Sequence, residues 1–241
     1  MKEKKSHSTK TGKLFYHSVI VLCSIVAIGS AVYLLSYYLK AAHTQRETEN
    51  IKSLIMGDGS ERTVSDDGEK LTATEEVDGQ QISAKFARLY RENPDFVGWL
   101  QIEDTRIDYP VMQTKQDEVF YIHRDFYKNY DENGTLFLGA DSEMNPQSDN
   151  CIIYGHNMKS GIMFAGLMKY AKEDYYKSHS IIQFDTIYGN GVYDIVAAFY
   201  GTVYAEDDKE HFKYYAMNQA SSRDEFDLYW KQIHSMSLYD T

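Results

Sequence analysis

The chain has 241 residues, with 25 Lys and Arg against 36 Asp and Glu, a formal net charge of −11, and two cysteines. An acidic balance of this size argues against a nucleic-acid partner, which rewards clustered Lys and Arg; two cysteines make no disulfide framework. Most of the acid lies beyond residue 40, because Lys2, Lys4, Lys5, Lys10 and Lys13 sit in front of a stretch free of Asp, Glu, Lys and Arg.

That stretch, residues 14–39, rises about 1.5 Å per residue as a helix and so spans roughly 39 Å, enough to cross a hydrocarbon core of about 30 Å with some tilt. A cleaved signal peptide is the alternative, but its apolar region runs only about 7–15 residues before a small-residue site. The length and the Tyr37-Tyr38-Leu39-Lys40 ending favour an uncleaved anchor. The lysines at 1–13 then keep the N-terminus in the cytoplasm and send everything after Lys40 outside. Tyr33, Tyr37 and Tyr38 suit an interfacial aromatic belt, although Tyr33 fits equally well within the span. Topology separates Cys23, in the span, from Cys151, leaving the latter a lone thiol that burial suits better than exposure.

Residues 40–81 are polar, with breakers at 57–60 and 65–68, and read as a linker whose part 44–56 is able to continue the helix. Ile82, Phe86, Leu89 and Tyr90 recur at helical spacing and stop at Asn93-Pro94, so the folded domain is expected to start near Ile82. Strands are expected at 96–102 and 107–112, the second an edge strand or one that begins after a kink because of Pro110. Further strands are expected at 135–138 and 151–154, a helical segment at 163–170, and a hairpin of 181–184 with 192–200 around Gly189-Asn190-Gly191. A long loop from Ala205 leads to a last helix, 222–234, with Phe226, Tyr229, Trp230 and Ile233 on one stripe. The inventory is a mostly β domain with inserted helices.

The run Cys151-Ile152-Ile153-Tyr154-Gly155-His156 reads as a buried strand delivering one imidazole to a sheet edge, where it suits acid–base chemistry. Residues five apart on a strand point to opposite faces, so Cys151 is expected to be a small core hydrophobe rather than a partner of His156. His123, His179, His211 and His234 lack comparable context and read as surface or packing residues. No metal-ligand spacing joins His123 to His156, so neither metal nor any other cofactor is expected.

The blocks Asn93-Pro94-Asp95-Phe96-Val97-Gly98-Trp99-Leu100, Ile107-Asp108-Tyr109-Pro110-Val111, Gly134-Thr135-Leu136-Phe137-Leu138, Ile152-Ile153-Tyr154-Gly155-His156-Asn157-Met158 and Ser237-Leu238-Tyr239-Asp240-Thr241 resemble class B sortases in order and spacing. The resemblance covers about 82–241, and the tail, anchor and linker agree with it. It implies four parts: a cytoplasmic tail 1–13, a transmembrane anchor 14–39, an extracellular linker 40–81 and a catalytic domain 82–241. It also implies a sortase-like eight-stranded β-barrel lacking its last two strands.

By the same resemblance, His156 occupies the position of the catalytic histidine of a Gram-positive cell-wall transpeptidase. Such an enzyme cuts a C-terminal sorting signal of surface proteins through a thioester and transfers them to a peptidoglycan amine. Loose alignment puts Ile122, Tyr204 and Phe212 along the sorting-signal groove. The family's cysteine and arginine positions fall beyond Thr241, so the chain as it stands is expected to be inactive. A non-catalytic, membrane-anchored module that binds sorting signals or wall components is the alternative.

Overall fold

A computed structural model of the chain describes residues 8–57 and 73–241. The lysines at 2–5 and the breakers at 58–60 and 65–68 therefore lie outside the described residues. Two units divide at His43/Thr44.

The first unit is helical throughout its described part. Helix α1, Ser8–Gly57, presents an apolar stretch with a mean hydropathy of 2.4 and no buried residue. A helix surface this apolar finds no cover within the fold, which fits a single-pass membrane anchor.

The second unit opens with the end of α1 and a hairpin, β1 Thr74–Val77 and β2 Gln80–Ser83, closed by Asp78 and Gly79, both at positive φ. Two central residues at positive φ form the hairpin turn whose twist matches that of its strands. The sequence reading treated this region as linker, yet Ile51 and Val77 are 3% and 5% exposed and share a core with Ile82, Phe86, Leu89, Phe96, Trp99 and Tyr121. Three apolar residues, Ile51, Leu54 and Ile55, are too few to stand out as a helical period in a polar run, although together they make one face. Ile82 belongs to β2, so the expected helix from Ile82 contracts to α2, Ala87–Glu92, which does end at Asn93.

The main sheet has six strands in the order β6-β5-β4-β3-β7-β8. Here β3 is Phe96–Gln101, β4 Asp108–Met112, β5 Leu136–Leu138, β6 Ile153–Tyr154, β7 Ile181–Thr186 and β8 Val192–Asp194. All pairings are antiparallel except β4 with β5, which makes a mixed, half-barrel sheet with helices inserted between strands. Strand β4 is interior, contrary to the edge expected from Pro110. The ladder accommodates the proline because pairing with β5 begins only at Val111, so Pro110 has a strand neighbour, β3, on one side.

The segment after β6 is a 3-10 helix, Phe164–Ala171, followed by α3, Glu173–Ser178. Strand β8 is shorter than the expected 192–200. Beyond Asp194 the chain is irregular and meets the C-terminal residues instead: Leu238 donates to the Ala198 carbonyl at 2.8 Å and Ser237 Oγ accepts from the Ala198 N–H. Helix α4, Arg223–Met236, starts at Ser222, whose hydroxyl accepts the Glu225 N–H while the Glu225 carboxylate accepts the Ser221 N–H at 2.6 Å. This reciprocal cap satisfies donors that the first turn leaves open.

Candidate active site

The corner that holds His156 is built from two chain segments. One is the 3-10 turn Phe120–His123, pinned from the core by the fully buried Tyr121. Tyr121 Oη donates to Asp95 Oδ2 at 2.8 Å and accepts from Asn93 Nδ2 at 2.8 Å, and Lys128 pairs with the same Asp95 oxygen. Burial pushes the Tyr121 hydroxyl pKa up, so it remains a hydrogen-bond donor at neutral pH. Gly134 presses against this turn at φ +62°, where an added Cβ would lie 2.3 Å from the Ile122 carbonyl oxygen. Only glycine meets both the backbone conformation and the close approach.

The other segment is β6 and its continuation. A Cβ on Gly155 would meet Leu136 and Phe164 side chains, so the chain passes tightly between them as it delivers His156. The His156 carbonyl accepts the Phe164 N–H at 2.9 Å, and Asn157 bridges to Met163. Met163 is held at φ 52°, an uncommon value for a side-chain-bearing residue, by burial and by a bond from its N–H to Tyr109 Oη at 3.1 Å. The backbone around His156 is therefore fixed from both sides.

The imidazole itself is half-buried. Its Nε2 lies 2.8 Å from the Ile122 carbonyl oxygen, and its ring stacks on His123 with centroids 5.3 Å apart and planes 24° apart. A carbonyl only accepts, so Nε2 donates to it and Nδ1 is the ring nitrogen left to meet substrate. Among the described residues nothing hydrogen-bonds Nδ1. Chemically, the arrangement provides one oriented acid–base group.

Cys151 lies elsewhere. Its Sγ is within 3.8 Å of the Glu143 and Ser148 carbonyls, contacts that it does not share with His156. Burial pushes the thiol pKa up, which keeps it protonated and poorly nucleophilic. Cys23 sits on the apolar part of α1.

Of the three residues expected along a groove, Ile122 joins His156 through its backbone. Tyr204 and Phe212 instead line a cavity of about 290 Å³ beside α4, whose walls include neither Ile122 nor His156. There His211 stacks on Tyr204 at 4.2 Å and Phe212 packs edge-on to Tyr229 at 5.5 Å. His211 also bonds Asp208, whose carboxylate is held below its ordinary pKa mainly by the His211 backbone N–H. Sequence reasoning read His123 as a surface or packing residue and gave no site role to Gly134 or to the Ile122 carbonyl. No local pattern marks their roles: Ile122 and His123 meet His156 from more than thirty positions away, and Gly134 meets the Ile122 carbonyl from twelve.

No family model matches the chain. The chain is 31% identical over 182 residues to the sortase B of Listeria monocytogenes serovar 1/2a (strain ATCC BAA-679 / EGD-e), covering 74% of this chain and 70% of that one. Sortase B from B. anthracis superposes with a TM-score of 0.59 at 29% identity, over 70% of this chain and 74% of the other. A Staphylococcus aureus sortase B–substrate complex gives a TM-score of 0.68 at 22% identity, over 84% and 82%, a likeness that speaks to the fold alone.

Proposed function

The chain belongs to the class B sortases, and from that premise we propose that His156 is the acid–base residue of a cell-wall sorting transpeptidase anchored in the membrane through 14–39. The observation that carries this reading is the imidazole pinned through Nε2 and open at Nδ1.

The chemistry follows from that geometry. His156 Nδ1 takes the proton of a cysteine thiol, the resulting thiolate attacks the scissile carbonyl of a surface protein's C-terminal sorting signal, and the bond to the leaving amine breaks as Nδ1 returns that proton to the amine, leaving a thioester. An incoming amine, from peptidoglycan precursor or the wall, loses its proton to the same nitrogen as it displaces the thiol. Ile122, Tyr204 and Phe212 are proposed to contact the signal, and the tail 1–13 to remain cytoplasmic with the folded domain, whose core includes Ile51 and Val77, outside.

Within these 241 residues neither cysteine is placed to be that nucleophile, since the half-buried Cys151 lies against the Glu143 and Ser148 carbonyls and Cys23 is in the apolar helix. The 241-residue chain alone is therefore proposed to cleave no sorting peptide, and its full activity to require a different thiol. The same observation favours a second reading, a module that binds sorting signals or wall components without cutting them.

A panel of fluorogenic sorting peptides tests both. The chain alone is expected to show no cleavage; turnover abolished by Cys151→Ala would overturn the assignment of Cys151. A chimera supplied with the thiol-bearing strands of a class B sortase should cleave peptide and lose that activity on His156→Ala. Peptide binding with no cleavage by the chimera selects the second reading.

A further inference from the structure

We infer that His123 is a positioning residue for the His156 imidazole, acting through ring stacking to fix the plane in which Nδ1 meets substrate. The inference rests on the acid–base reading of His156 and names a group that this reading does not require.

One hydrogen bond does not orient a histidine. The bond from Nε2 to the Ile122 carbonyl at 2.8 Å sets a point and a direction, but the ring is left to turn about that axis. The terminal torsion of a histidine side chain is broad and two-fold, so rotamer preference does not supply the missing constraint. A stacked ring does. His123 lies against His156 at 5.3 Å with a 24° interplanar angle, within the offset-stacked range for aromatic rings.

His123 is suited to this because it is itself held. It ends the same 3-10 turn that Tyr121 anchors in the core, and its carbonyl accepts the Asp131 N–H at 3.1 Å. Asp131 in turn accepts from Thr44 Oγ1 at 2.6 Å, and the Tyr130 ring stands 6.3 Å from that of His123. The acceptor of the hydrogen bond and the stacking platform are consecutive residues, Ile122 and His123. They move as one unit, so the two constraints on His156 cannot drift apart.

The test reads His156 directly and needs no turnover. The full chain, carrying isotope-labelled histidine in detergent micelles near neutral pH, is expected to show a protected Nε2–H proton that disappears in His156→Gln and is thereby assigned. His123→Ala should lose that signal through faster exchange while the dispersed amide spectrum is retained; His123→Phe, which keeps a flat ring, should preserve it. Survival of the signal in His123→Ala, or its loss in His123→Phe, would overturn the inference. Its absence from the unsubstituted chain would do the same. In the peptide-cleaving chimera, unchanged turnover after His156→Ala would remove the acid–base reading and leave these spectra unaffected, so the two failures are distinguishable.

Discussion

The corner around His156 and the region from Tyr188 to the C-terminus contain similar side chains and bury them very differently. In the first, Tyr121, Leu136, Phe126, Ile162 and Met163 are all excluded from solvent, and the turn that carries Ile122 and His123 is bonded into this core. In the second, no residue is buried. Helix α4 covers none of its apolar stripe fully, and Val192, Tyr200, Val203, Leu228 and Leu238 are exposed, Val203 by 77%. Aromatic pairs such as Phe212–Tyr229 and Phe226–Trp230 hold the second region together instead. Burial rather than composition decides which half carries a precise geometry, since apolar area removed from water supplies most of the stabilisation.

The largest expected effect separates the two regions by removing part of the first. Trimming the chain from 44–241 to 82–241 strips Ile51 and Val77 from the core, at about 1.5–3 kcal/mol each, along with the Thr44 bond to Asp131. Against a typical stability of about 5–15 kcal/mol, the shorter piece should melt without cooperativity or aggregate, and the longer one should melt cooperatively. Equal melting of the two would show that α1 and the hairpin contribute nothing to this core. The edge strand β6 and the exposed Val192, Tyr200 and Val203 should lower the solubility of both pieces, a trend that light scattering can follow.

Single substitutions sharpen the contrast. Phe86→Ala, in the core, should cost about 3–5 kcal/mol, whereas Leu228→Ala, on the exposed face of α4, should stay within about 0.5 kcal/mol. Denaturant titrations of both variants check this, and similar costs would dissolve the distinction between the regions. Next in size is Gly134→Ala, which forces a Cβ against the Ile122 carbonyl at φ +62° and should cost about 1–3 kcal/mol. Because that carbonyl holds His156, the substitution should also expose the His156 Nε2–H to exchange with solvent, visible in the same labelled spectra.

The smallest effect belongs to the second region. The Ser221 backbone N–H holds the Glu225 carboxylate below its ordinary pKa of 4.5. A carboxylate whose pKa falls on folding contributes its stability above the unfolded value and loses it as pH drops through the folded one. Amides in the first turn of α4 should therefore keep full protection, relative to their intrinsic exchange rates, above pH 4.5 and lose protection below it, a pH dependence that Glu225→Gln removes. The group is exposed, so the change should be confined to that turn; global unfolding over the same range would contradict it.

Much of the architecture was legible because it rests on local pattern. The apolar stretch from Leu14, the strands at Phe96 and Ile181, the turn before Val192 and the helix that starts near Ser222 all follow from periodicity and turn chemistry that neighbouring residues set. What was missed has long-range causes. The Asp78-Gly79 hairpin was hidden in a polar run, and its membership of the core depends on Phe86 and Ile51 arriving from other segments. Pro110 pointed to an edge, yet β4 is interior because β5 pairs only from Val111 onward.

The sequence by itself determined the long apolar N-terminal helix, most of the strands and the placement of His156 just beyond one of them, since hydrophobic period and a family-like motif are properties of consecutive residues. Tertiary structure alone decided that Ile122 and His123 meet that imidazole, that Cys151 faces carbonyls instead, and that Tyr204 and Phe212 share a separate cavity. Contacts between residues far apart in the chain depend on how sheets and turns close in space, and no local pattern encodes that closure.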